Sequence, residues 1–307
     1  MLAPSAADAQ EILLTGPLAG AGAVHDLRLY RKGRVEFAPT ATFTLLDEYL
    51  RQILVGAKLS YNITDFLAIG VWGAFSPEPL KLPAGLVDKI QAVNDARQNA
   101  PGVGNAARRA MGQQPTLQNR LTSLNLGSNF EDQLGSIDWI AAPQVTFVPF
   151  RGKIALFQSI YIDTDFYIFA GPAIAGVTER EDCSGPGSSA NGGCSSERTP
   201  NDGVVDGAGE PIPIPNSATF NTASRIAIAP TFGLGFTFYV NRWNALGFEW
   251  RAVPFARNTG GFDNHGTGPD GDFPDQQVNS DDRDLKLNQM LSVSWNFYIP
   301  FDYQVSE

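Results

Sequence analysis

Few side chains in this 307-residue sequence are equipped for acid–base, thiol or metal chemistry: it has two histidines and two cysteines. His265 lies in an acidic stretch, where seven aspartates (Asp263, Asp270, Asp272, Asp275, Asp281, Asp282 and Asp284) face a single arginine, Arg283. A histidine beside a carboxylate can serve as a general base, so one reading is a surface protease or lipid-modifying enzyme built on His265. The opposing reading is a solvated acidic loop. No G-x-S-x-G elbow, H-E-x-x-H pair, P-loop or strand-following G-x-G-x-x-G run accompanies His265, and His25 stands apart in the N-terminal segment. The same aspartates could attract a divalent cation, but no EF-hand spacing is present, and Asp202-Gly203 with Asp206-Gly207 is equally incomplete. The expectation is therefore a protein that is not an enzyme and holds no cofactor or metal.

Cys183 and Cys194 flank a Gly/Ser-rich stretch with no further Cys pair or nearby His to complete four ligands, so they read as a loop disulfide of an oxidising compartment. Closing so short a loop would contribute about 2 to 3 kcal/mol. Ala7-Asp8-Ala9 before Gln10 has the small-x-small form of a signal-peptidase site. Residues 1–9 accordingly read as the remnant of a signal peptide and residues 10–30 as a periplasmic segment. A formal net charge of −10, with 22 basic against 32 acidic residues and no basic patch, excludes a nucleic-acid partner.

The elements that must position the charged residues are strands. Val35 to Phe43 alternates apolar odd positions with polar or small even ones, and seven further segments do the same: 52–61, 67–76, 138–147, 163–174, 225–238, 246–252 and 291–297. The second face is mostly Gly, Ala, Ser and Thr with isolated charges. That face is too sparsely charged for a soluble surface, but it suits the narrow interior of a small barrel, with the bulky apolar face turned to lipid. Mean hydropathy near zero, −0.13, is compatible with this, because strands cross a membrane with apolar residues at every second position. By parity Arg34, Lys58, Arg225 and Arg251 point inward, as do Glu36, Asp163, Asp165 and Glu249. Four charges of each sign in so narrow a lumen read as a salt-bridged plug, with an ion or solute path as the rival.

Connection lengths alternate. Asn62 to Asp65, Pro149 to Lys153 and Asn241 to Trp243 read as short periplasmic turns, while 77–136, 177–224 and 256–285 are long, with Leu45 to Leu50 the short exception on the outer side. Within the first long connection, Leu86, Ile90 and Val93, then Leu117, Leu121 and Leu124, fall at helical spacing. They predict a helical cap packed on the barrel mouth, or a helix pair that docks a partner.

Several stretches together resemble the myxobacterial-type outer-membrane β-barrel domain family: Arg31-Lys32-Gly33-Arg34-Val35-Glu36-Phe37-Ala38-Pro39, Leu59-Ser60-Tyr61-Asn62-Ile63-Thr64-Asp65-Phe66-Leu67, Pro149 to Phe157, Asp165-Phe166-Tyr167-Ile168 and the closing strand to Phe297. The resemblance spans roughly residues 30 to 300. It implies an eight-stranded outer-membrane barrel and brings no catalytic or binding residues. Two departures are visible: Trp295-Asn296-Phe297 is followed by ten more residues, and Ser292 stands where Gly is usual.

The reading is an all-β, eight-stranded antiparallel transmembrane β-barrel over residues 31–300, with long extracellular loops, one partly helical, and a periplasmic tail over 301–307. Its expected location is the outer membrane, in contact with outer-membrane lipid. Its expected role is structural or surface-interacting, through an envelope or surface protein bound by loops 77–136, 177–224 and 256–285. The rivals are a narrow solute channel sensitive to Arg225 or Glu249, a His265 enzyme, and a soluble exported β-sandwich.

Overall fold

The computed structural model describes residues 28–29, 31–99, 130–156, 160–180, 222–262, 264–265, 278–300 and 304–305. Each alternating segment forms a strand: β1 Val35–Leu45, β2 Leu50–Asn62, β3 Leu67–Phe75, β4 Ser136–Leu156, β5 Ile160–Arg180, β6 Thr222–Tyr239, β7 Asn244–Ala252 and β8 Gln289–Ile299. Every strand pairs antiparallel with its neighbours in sequence, and β8 pairs with β1, so the sheet closes on itself. Closure satisfies the backbone donors and acceptors that an open edge would expose to lipid.

Alternation decides the faces. Along β6, Ile226, Ile228, Phe232, Leu234 and Phe236 are exposed outside, while Ala227, Ala229, Thr231 and Thr237 are buried inside. Phe37, Leu59, Val71, Val145, Phe248 and Trp295 continue the apolar exterior around the ring. Such a band of branched and aromatic side chains has no place on a water-facing surface and fits the hydrocarbon layer.

The strands depart from the sequence reading in three places. Pro149 to Lys153 is strand rather than turn: a register irregularity between Phe147 and Phe150 absorbs the proline, and β4 and β5 run on together as a ribbon to Leu156 and Ile160. Arg151 opposite Asp165 and Lys153 opposite Asp163 match charges across that ribbon. At the other end β5 and β6 pair as far as Arg180 and Thr222, well into the expected loop. Ala252, read as outward-facing, is fully buried where β7 leaves the sheet and the chain turns to pack Val253 and Phe255.

The described parts of the long connections form a cap on one end. Lys81–Pro83 pairs with the start of β2, and Phe255–Arg257 pairs with Asp284–Lys286. Helix α1, Gly85–Asn99, follows the first of these. Its buried face differs from the one the spacing pointed to: Val87 is buried and Ile90 packs with it, whereas Leu86 and Val93 are exposed. Phe130, Leu134 and Tyr49 pack against the Val87–Ile90 edge, so the contact surface and not the apolar spacing sets which edge is buried. Leu117, Leu121 and Leu124 lie outside the described residues, as do Cys183, Cys194 and His25. At the opposite end, Arg28–Leu29 pairs with Gln304–Val305, so the two outer segments of the chain meet below the barrel.

Candidate functional site in the barrel interior and cap

The inward positions of the eight strands carry charges and amides in successive levels. Nearest the short turns, the Arg34 guanidinium donates to the carbonyls of Pro300 at 2.7 Å, Arg242 at 2.8 Å and Tyr298 at 3.2 Å, and lies 5.1 Å from the centre of the Tyr298 ring. Above it, Glu36 accepts from Lys58 at 2.9 Å and from Asn296 at 3.0 Å, with Arg31 3.7 Å away. Arg31 also binds Asp165 at 2.9 Å, and the Tyr239 hydroxyl donates to the same carboxylate at 2.7 Å.

The middle level centres on Arg251, whose side chain has no solvent exposure. It donates to Glu249 at 2.7 Å, Gln144 at 2.7 Å and Thr231 at 3.2 Å, and its guanidinium lies 4.2 Å from the Trp72 ring centre and 4.3 Å from that of Phe169. Tyr167 donates to the second Glu249 oxygen at 3.1 Å. A buried charge held this way is desolvated, so each oxygen and N–H must find a partner inside the protein. Higher still, the Gln52 amide bonds both the N–H and the carbonyl of Ile137, linking β2 to β4 across the top of β3.

The cap has its own centre. Glu179 accepts from Arg225 at 2.8 and 2.9 Å, from Arg283 at 2.9 Å and from the Asn258 backbone at 3.0 Å, joining β5, β6 and the last connection. Tyr49, Phe130 and Phe262 form an aromatic triad with ring centres 5.4 to 5.8 Å apart. Burial, then the Glu48 charge, push the Tyr49 hydroxyl above its ordinary pKa. Lys81 donates to Glu78 at 2.6 Å and Asp138 at 3.1 Å; burial works against its charge, but these two partners outweigh it and raise its pKa.

The eight charges predicted to share a lumen network divide among several sites. Arg31 links Glu36 to Asp165, Lys58 pairs with Glu36, and Glu249 meets Arg251. Arg34 is turned to backbone carbonyls. Arg225 belongs to the cap, because β6 continues past the ring of paired strands. Asp163 is half-buried one residue beyond the last β5–β6 pair, in the projecting ribbon rather than the lumen. Sequence reasoning missed Arg31 and Glu179: Arg31 precedes the first alternating run, and Glu179 has inward parity on the part of β5 that read as loop.

The acidic last loop is also less solvated than expected where it is described. Asp282 is fully buried and accepts from the backbone N–H groups of Asn264, His265 and Asn279. His265 is exposed, with its Nε2 3.9 Å from Asp284. Among the described residues, no three potential metal ligands come together.

A closed eight-stranded meander with an apolar exterior and a charged, side-chain-filled interior is a small transmembrane β-barrel of the outer-membrane type. No protein-family model matches the chain, and no curated protein matches it. Among solved structures it is similar to the outer membrane protein OprG of Pseudomonas aeruginosa, at 9% identity and a TM-score of 0.38 over 88% of this chain and 97% of that one. The N-terminal β-barrel domain of OprF from the same organism matches at 8% identity and 0.35 over 87% and 98%. Ail, the attachment invasion locus protein of Yersinia pestis, matches at 8% and 0.30 over 87% and 98%.

Proposed function

We propose that this chain is a closed, non-catalytic outer-membrane barrel that anchors a structured cap at the cell surface, where the long connections bind an envelope or surface partner. The observation that carries the reading is the blocked interior: Arg251, wedged between Trp72 and Phe169 and bonded to Glu249 and Gln144, occupies the middle of the lumen. The short turns at one end and the cap at the other support an orientation with the turns in the periplasm and the cap outward, in keeping with the asymmetry of outer-membrane loops. The exposed His265, with an aspartate at 3.9 Å, does not favour the enzymatic rival.

Planar-bilayer recording tests the closed state. The reconstituted protein is expected to give no conductance steps, while Glu249→Ala, which strips the Arg251 anchor, gives leak. Steady conductance from the native protein would establish the channel reading instead.

A further inference from the structure

We infer that the outer wall across β1 to β5 holds one acyl chain of a glycerophospholipid in a preformed groove, an inference that rests on the membrane-spanning reading above. The groove has a volume of about 630 Å³. Leu59, Val71 and Val145 form its sides, and Pro143, Ala170 and Pro172 form its floor.

The floor has a cause in the sequence. The β4–β5 ladder is paired at Ala141 with Ile174 and again at Val145 with Ala170, in one continuous register, so Pro143 stands opposite Pro172. Neither can donate a backbone hydrogen bond, and the pairings between those two points are absent. On its other side Pro172 faces Pro230 of β6. The wall there presents flat rings and a methyl group where its surroundings present Ile69, Phe147 and Trp139, all exposed. A low floor between tall side chains is a groove.

Its position selects the occupant. The surrounding outward residues are apolar above and below, so the medium over the groove is lipid hydrocarbon and water is excluded. An alkyl chain lying in it touches protein on three sides, whereas one lying elsewhere on the convex wall touches it on one, and each additional close contact adds dispersion attraction. Val35 and Tyr61 line the groove toward the short-turn end. The exposed Lys32 lies three residues before Val35, and its backbone donates at 3.0 Å to Asp65, which also sits 3.9 Å from Arg151. Arg151 is held between Asp65 and Asp165, 3.7 Å away, so the exposed Lys32 ammonium is the cation offered at headgroup level on that side, where a phosphate would meet it.

The test uses the full chain in vesicles of phosphatidylethanolamine and phosphatidylglycerol, with a photoactivatable diazirine on the acyl chain of the phosphatidylethanolamine. A heat-dependent shift on a detergent gel first verifies insertion, so that failure of the barrel reading is separated from failure of the groove. After irradiation, mass spectrometry is expected to find adducts concentrated on Val71 and Val145 relative to Phe248 and Trp295 on other parts of the wall. Ala170→Phe, which fills the floor, should abolish that excess, and Ala41→Phe, a small-to-large change on β1, should retain it. Even labelling around the wall overturns the inference, as does an excess that survives Ala170→Phe. Should Ala170→Phe fail to fold, the map of the native chain decides.

Discussion

Arg251 shows how much rests on single side chains in an interior this narrow. Its guanidinium has no water contact, so its stabilisation comes from Glu249, Gln144, Thr231 and two aromatic faces. Arg251→Ala leaves the Glu249 carboxylate buried with the Tyr167 hydroxyl, and is expected to cost about 3 to 5 kcal/mol, the usual loss when one partner of a buried pair is removed. Urea unfolding in liposomes followed by tryptophan fluorescence measures this. The paired change Arg251→Met with Glu249→Gln should recover much of the loss, because the stranded charge is then gone. Lys81 makes a different prediction, about pH. Its folded pKa lies above the ordinary 10.5, so its contribution to cap stability is fully present below that value and is lost as pH rises through the folded one. Limited proteolysis of the cap should therefore run at equal rates at pH 6 and 9, after correction for the protease itself, and acylation of Lys81 should show a midpoint above 10.5. The alternation made Arg251 and Glu249 legible as inward residues. It could not show that Arg34 and Arg225 turn to carbonyls and cap, since parity assigns a side and not a height or a partner.

At the scale of elements, strand crowding imposes constraints that no periodicity displays. Gly171 is required by approach: a Cβ there would collide with the Pro143 carbonyl oxygen, a backbone atom that cannot step aside. Gly171→Ala is expected to destabilise the barrel by about 1 to 3 kcal/mol, as overpacking does. Gly152→Ala, in the projecting β4–β5 ribbon with open space around it, should be near neutral. Refolding yield on the heat-shift gel separates the two. The strands themselves were readable because lipid outside and side chains inside enforce a strict period of two. Where that enforcement ends, the reading fails: beyond the short-turn end Pro149 looked like a turn breaker, yet a bulge carries the ribbon past it. On α1 the apolar residues were visible, but the buried edge is set by Phe130, Leu134 and Tyr49, which come from elsewhere in the chain.

For the molecule as a whole, the decisive event is closure, when β8 finds β1 across more than 240 intervening residues. Hydrophobic alternation alone tolerates a slip of two residues, which preserves the faces, and forbids a slip of one, which reverses them. Arg34 supplies the finer discrimination. The carbonyls it is described as binding belong to the β6–β7 turn, to the end of β8 and to the residue just after it, and they converge on one guanidinium because both seams are in register. A two-residue slip at the β8–β1 seam would move the β8 acceptors by about 7 Å along the strand, well beyond reach. Arg34→Lys keeps the charge but has neither the planar fork nor the reach to engage all three. Slower closure and a lower folded fraction on the time-resolved gel shift are expected, with less effect on the stability of barrels already closed. The guanidinium thus works as a gauge at the join: it tells a correctly closed ring from one shut two residues out of step, a distinction to which the lipid-facing pattern is blind.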